Sequence, residues 1–236
     1  MNTNTEPSRL GRPALALPVL LAFSAGFVDT LGFVALFSFF TAHVTGNFVV
    51  LGAALIQPHH GVVAKLLALP TFIAGVAATR IYERTLVHRG LNVAPRLMLA
   101  EFFSLAAFVA LAVLATPVVD GDAPTAIAAA LAGVVAMSVQ NAASRTVFAS
   151  LSPTTVMTGN VTQLIIDTVD LAAGVAADAS AAIQARMHRL WPPLVSFAGG
   201  AAAGAVGFGK FGFGALALPT ALVLYLAIHT RRRANP

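Results

Sequence analysis

The sequence predicts an all-α, polytopic membrane fold. Three observations carry that prediction: an apolar composition, apolar runs of membrane-crossing length, and basic residues gathered at the ends of alternate runs. Of the 236 residues, 58% are hydrophobic and only 10% are charged, and the mean hydropathy is +0.83. A soluble domain carries about 25% charged residues, and a single globule this apolar would turn large greasy patches to water. An ordinary cytosolic enzyme and a disordered chain are both excluded. The absence of cysteine excludes disulfides, thiolate metal sites and cysteine nucleophiles.

A helix needs roughly 20 apolar residues to cross the hydrocarbon core. Six segments fit: residues 14–37, 62–81, 97–116, 124–144, 190–208 and 213–229. The first follows Arg9 and Arg12, as a signal sequence would, but it is too long for a signal core and further spans follow. With the N-terminus inside, twelve of the fourteen Lys and Arg fall on the inner side. These are Arg9 and Arg12; Arg80, Arg84, Arg89 and Arg96; Arg145, Arg186 and Arg189; and Arg231, Arg232 and Arg233. Only Lys65 and Lys210 lie on or near the outside, and the third connection carries Asp120 and Asp122 with no basic residue. The positive-inside bias sets both termini in the cytoplasm. The same placement explains the net charge of +5 as membrane anchors, with no nucleic-acid partner.

Two apolar stretches are left over, residues 41–56 and 154–169, each short for a span. Eight full crossings would put the arginine-rich stretch 80–96 outside, against the charge bias. They are therefore expected to be re-entrant or half-helical segments, entering from the outer and the inner face. They also carry a repeat. Thr41, Thr45, Gly46, Asn47 and Leu51 recur as Thr154, Thr158, Gly159, Asn160 and Leu164, at a constant offset of 113 residues. Copying a three-span unit in tandem reverses its direction, so the halves should be inverted, as in many secondary transporters. The expected organisation is a cytoplasmic tail (1–13), a first three-helix repeat (14–116), an external loop (117–123), a second repeat (124–230) and a cytoplasmic tail (231–236).

Thr, Gly and Asn suit broken backbone at membrane depth, which survives only when packed in protein or lining a wet cavity. Thr can cap the following helix. Gly permits an unusual backbone angle or a close approach. Asn offers donor and acceptor to a polar solute or to backbone. If each short helix starts at its Thr-Gly-Asn, both positive dipole ends face the centre and favour an anionic or electronegative group. Thr45, Gly46, Asn47, Thr158, Gly159 and Asn160 are thus candidates to line a site, or alternatively to knit helices together.

Asp29 lies mid-span between Gly26 and Gly32. A carboxylate at the bilayer centre costs about 2.5–3.5 kcal/mol on insertion scales, which marks it as functional or paired. It is read as a coupling carboxylate, or as a group paired with Arg145 or bonded near Gln140 and Asn141. Those three residues hold roughly its place in the second half, and Arg145 serves equally well as a snorkelling anchor. His43 could titrate near neutral pH, or simply pack. Glu101, one turn into its span, is expected at an interface; Asp167, Asp170 and Asp178 are expected to be wet. Gly200 and Gly204 form a G-x-x-x-G step for close helix packing, within the chain or in a homo-oligomer. His59-His60 is too little for a metal site. No phosphate loop, dinucleotide fingerprint or metalloprotease or serine-hydrolase motif occurs. The expectation is a protein without catalytic residues, cofactor or metal, with the lipid bilayer and a small polar solute or ion as partners.

The run from Ser24 to Phe33, followed by His43-Val44-Thr45-Gly46-Asn47 and Leu51-Gly52, resembles the YoaK family of bacterial inner-membrane proteins. Gln140 to Arg145 and Thr154 to Asn160 extend the resemblance, which covers residues 17–228. It implies a six-span inner-membrane protein of poorly defined function and supplies no substrate.

Overall fold

The computed structural model describes residues 13–56 and 61–234. The N-terminal tail with Arg9 and Arg12 and the pair His59-His60 lie outside the described residues. The chain forms α1 (Pro13–Ala35), α2 (Gly46–Ala54), α3 (Val62–His88), α4 (Val93–Leu114), α5 (Pro124–Arg145), α6 (Thr158–Ala173), α7 (Ala177–Phe211) and α8 (Ala217–Ala234). A 3-10 turn, Gly212–Leu216, links the last two. No strand occurs among the described residues.

Five stretches are long and apolar enough to cross a membrane: Ala16–Ala35, Val62–His88, Val93–Leu114, Pro124–Arg145 and Ala177–Arg232. The last contains α7, the 3-10 turn and α8. Ile73, Phe103, Val113 and Val195 are all more than half exposed, the outward apolar surface that a bilayer covers and water does not tolerate.

Hydropathy marks where lipid ends rather than where a helix ends, so two helices outrun their expected bounds. α3 continues through Arg80 and Arg84 until Gly90, at φ 64°, closes it. There Leu91 N–H donates to Leu86 O (2.9 Å) and Gly90 N–H to Val87 O (3.0 Å), the paired closure that glycine favours after a helix. α7 starts thirteen residues before its expected span. Its 35 residues extend about 52 Å at 1.5 Å each, well beyond a hydrocarbon core of about 30 Å. At the other face Asp122 accepts the Val62 and Val63 amides at 3.2 and 2.8 Å. That carboxylate fixes the start of α3 and complements its dipole.

The halves are interlocked. α1 packs chiefly on α7, and α5 packs on α3 as well as on α4, so the first helix of each half lies against the third helix of the other. Both pairs are parallel. In the first, Ser196 Oγ donates to Val19 O at 2.7 Å. Backbones touch here because side chains are missing. A Cβ on Gly26 would overlap the Phe197 carbonyl, and one on Gly200 or Gly204 would overlap the Phe23 or Phe27 carbonyl. Gly75 on α3 does the same against Ser138 of α5. Such steps substitute dispersion and weak Cα–H···O contacts for a hydrophobic effect that lipid cannot supply. α4 completes the interior against α5 and α8, with Phe27, Leu31, Phe39, Leu105, Phe108 and Met137 in one buried cluster.

Candidate functional site

In each half the chain leaves its first helix, doubles back as a non-helical loop, and starts a short helix at Thr-Gly-Asn. The loops are residues 36–45 and 146–157. The turn after α1 is tight: Phe37 and Ser38 have φ of 52° and 61°, a left-handed conformation uncommon for non-glycine residues.

A polar side chain of the first helix holds each loop. Asp29, 4% exposed, accepts the Ala42 amide at 2.6 Å, the His43 amide at 3.3 Å and the Thr41 hydroxyl at 3.3 Å, all on Oδ1. Its Oδ2 is hydrogen-bonded to His43 Nδ1 at 2.7 Å. In the second half Gln140 donates to the Thr154 hydroxyl (2.8 Å) and to Leu21 O of α1 (2.9 Å), while Asn141 donates to the Thr155 hydroxyl at 2.7 Å. The chemistry is inverted: a carboxylate gathers backbone donors in one half, and amides feed hydroxyls in the other. This common architecture keeps polar backbone satisfied within a greasy interior.

The two asparagines serve the loops too. Asn47 is fully buried; its Oδ1 accepts the Phe40 amide and its Nδ2 donates to Phe40 O, both at 2.9 Å. Asn160, 3% exposed, donates to Pro153 O at 3.2 Å and to Ser152 Oγ at 3.1 Å. Phe40 and Pro153 are themselves 113 residues apart, so the same clamp closes the same seven-residue gap twice. Pro153 has no N–H, which removes half of the second clamp.

Several expectations for these motifs change. Thr45 precedes α2 without a side-chain capping bond, and Met157, not Thr158, occupies that position before α6. Both threonines are exposed. Neither Gly46 nor Gly159 takes a left-handed φ. Gly46 instead makes room for the Phe40 ring, 2.9 Å from where a Cβ would stand, and nothing lies within 4 Å of the same point on Gly159. Gly32 lies beside Thr41 in the same way, with Thr41 Cγ2 at 3.0 Å. The short helices do not meet: α2 packs on α3, α6 packs on α7, and no contact joins α2 to α6. Each short helix lies on the third helix of its own half, burying Asn47 in α2 and Asn160 and Asp167 in α6, while Val49, Val161, Ile165, Ile166 and Val169 stay exposed. Asp29 pairs with neither Arg145 nor Gln140 and Asn141; the nearer loop donors satisfy it. Arg145 is exposed and has no partner among the described residues.

What remains open to the surroundings is His43. Its side chain is 34% exposed beside a 6% exposed Asp29, and its ring stands 5.7 Å from Phe197 and 6.2 Å from Phe40, edge-on to both. The dyad therefore joins a sheltered carboxylate to an accessible imidazole. A cavity of about 760 Å³ opens elsewhere, against apolar walls from Phe27, Ala203, Val206 and Phe211. No group of three or more His, Asp or Glu able to hold a metal occurs among the described residues.

A second buried pair went unread in the sequence. Asp167 is not wet but fully buried, gripped by Arg186 through Nε (2.9 Å) and Nη2 (2.5 Å), with Gln163 Nε2 at 2.8 Å. Arg186 lies in the part of α7 that hydropathy passes over, and nineteen residues separate the partners. The guanidinium holds the Asp167 carboxyl below its ordinary value of 3.8. A lowered carboxyl pKa contributes stability above the ordinary value that is lost as pH falls through the folded one. Acidification below about pH 4 is therefore expected to loosen α6 from α7. Hydrogen exchange in α6 measured down a pH series will show it, and Asp167→Asn will remove that pH dependence.

Together these features define a helical, apolar protein of multi-pass membrane type, with a buried acid–imidazole dyad. The chain belongs to the family described as a protein of unknown function, DUF1275, whose profile matches residues 17–229. No curated protein and no solved structure matches it.

Proposed function

We propose that this protein is an inner-membrane transporter or channel-like protein for a small polar solute or ion, with Asp29–His43 as its proton-handling element. The observation that carries the reading is the dyad itself: a buried carboxylate in mid-helix, hydrogen-bonded at 2.7 Å to a part-exposed imidazole. Ionisable groups at membrane depth are costly and mark ion or proton pathways, and histidine exchanges protons near neutral pH.

The reading includes six crossings, with α7 and α8 as separate spans and both termini cytoplasmic, and it groups the chain with the YoaK-like proteins. Two inverted halves with broken first-to-third-helix connections support it. Thr45 and Thr158 face outward and are available to a solute. Gln140 and Asn141 order the second loop, and the asparagines of both motifs act as loop clamps. The engagement of both asparagines within their own loops favours a second reading, a non-transporting scaffold or sensor. Flux separates the two.

The test is proton movement into proteoliposomes carrying a trapped pH indicator, driven by a potassium diffusion potential. Wild type is expected to admit protons, with uptake reduced at least about tenfold in Asp29→Asn and His43→Ala, as for loss of a general acid–base group. Equal uptake by wild type and both variants, each intact by thermal unfolding, will leave the scaffold reading standing.

A further inference from the structure

The inner ends of α3, α4 and α8 enclose a cavity of about 330 Å³, floored by the Gly90–Asn92 turn and flanked by Arg96 and Arg231. That volume sits at the low end of ligand pockets, roughly 300–1,000 Å³. It suits a headgroup, not a whole lipid. Leu91 and Leu99 form its apolar edge.

The charge of this cavity is unopposed. Two other inner-face arginines have acids: Arg80 Nη1 meets Glu83 at 2.6 Å, and Arg186 meets Asp167. Neither Arg96 nor Arg231 has a carboxylate among the described residues. Arg96 spends one donor on Asn92 O at 2.7 Å, which orients its fork and leaves its other N–H groups unengaged. Two guanidinium groups from different helices line one recess, and an anion between them would relieve their mutual repulsion. Arginine is the side chain suited to grip phosphate by paired, charge-assisted bonds. α4 also begins here without a side-chain cap on Asn92, which leaves the amides of Val93 and Ala94 without that partner. Basic recesses between helices on the cytoplasmic face hold anionic headgroups.

We infer that Arg96 and Arg231 form a phosphate-binding site at the inner surface, filled by an anionic lipid headgroup or by a free phosphate compound. This site stands apart from the Asp29–His43 dyad and does not depend on the transport reading.

The test uses the full chain, delipidated in neutral detergent, and follows its apparent melting temperature, which any ligand of the folded form raises. One arm titrates inorganic phosphate. The other titrates phosphatidylglycerol in mixed micelles, against phosphatidylcholine. A rise with phosphatidylglycerol alone assigns a lipid headgroup, and a rise with inorganic phosphate assigns a soluble phosphate. In either case Arg96→Gln and Arg231→Gln should each weaken apparent binding about tenfold or more, the effect of losing a hydrogen bond to a charged group, while Arg232→Gln leaves it unchanged. Should Arg96→Gln fold poorly, Arg231→Lys, which keeps the charge and loses the fork, should still bind measurably more weakly. No rise in either arm, or an equal rise in the Arg231 variants and wild type, overturns the assignment.

Discussion

Gly204→Leu is expected to prevent stable folding, and Gly204→Ala to lower the melting temperature sharply. The position is at the parallel contact of α1 and α7, where a Cβ would coincide with the Phe27 carbonyl. Relief requires moving a helix backbone, because no flexible side-chain end is there to swing aside. Overpacking a well-filled interior typically costs 1–3 kcal/mol, and a rigid backbone obstacle puts Leu above about 4 kcal/mol, where single substitutions become exceptional. Gly199, one position from Gly200, meets nothing within 4 Å and serves as control. Gly199→Ala should be silent on the same helix. Fluorescence-detected size exclusion during a thermal ramp measures all three, and a Gly204→Leu protein as stable as wild type would remove the close approach from the account.

The second large effect concerns the asparagine clamps, and it is asymmetric. Asn47→Ala strands both the amide and the carbonyl of Phe40 in a buried loop. At roughly 1–3 kcal/mol for each orphaned group, a loss of about 2–5 kcal/mol follows. Asn160→Ala strands only acceptors, since Pro153 lacks an amide hydrogen, and should cost about half as much. Aspartate reverses the order of tolerance. Asn47→Asp keeps the acceptor for Phe40 N–H and loses one bond, whereas Asn160→Asp sets a carboxylate against the Pro153 carbonyl with only the Ser152 hydroxyl able to donate to it. Melting temperatures of the four variants check the pattern. Equal losses for both alanine variants would show that the matched tripeptides do not use their amides as described.

Much of this fold was legible because a bilayer asks simple questions of a sequence. Apolar runs located α1, α4 and α5 within a few residues and the start of α3, and the repeated Thr-Gly-Asn related the two short apolar stretches left over. The glycines at 26, 200 and 204 announced a close contact without saying with whom, because packing partners leave no local signal when Val19 and Ser196 lie 177 residues apart. Gly75 was missed, since a lone glycine in an apolar helix has no spacing to betray it. The tripeptides were readable as polar and broken, but not as turned inward, because an asparagine that clamps its own loop and one that binds a solute need the same donor and acceptor. His43, one of a kind in the repeat, is the member that stays accessible. Asp167–Arg186 stayed hidden for another reason: Arg186 lies ahead of the apolar run expected for α7, nineteen residues from its partner, where no local pattern pairs them.

The exchange of partners between halves bears on how the protein is made. α1 emerges from the ribosome long before α7 exists, so it must enter the bilayer with Asp29 aboard and its glycine face bare. Early capture of the 36–45 loop by Asp29 would neutralise that liability locally, while the helix waits for its neighbour. The first half should thus be the stretch most dependent on insertion machinery during synthesis, and the last place to mature after the C-terminus is released.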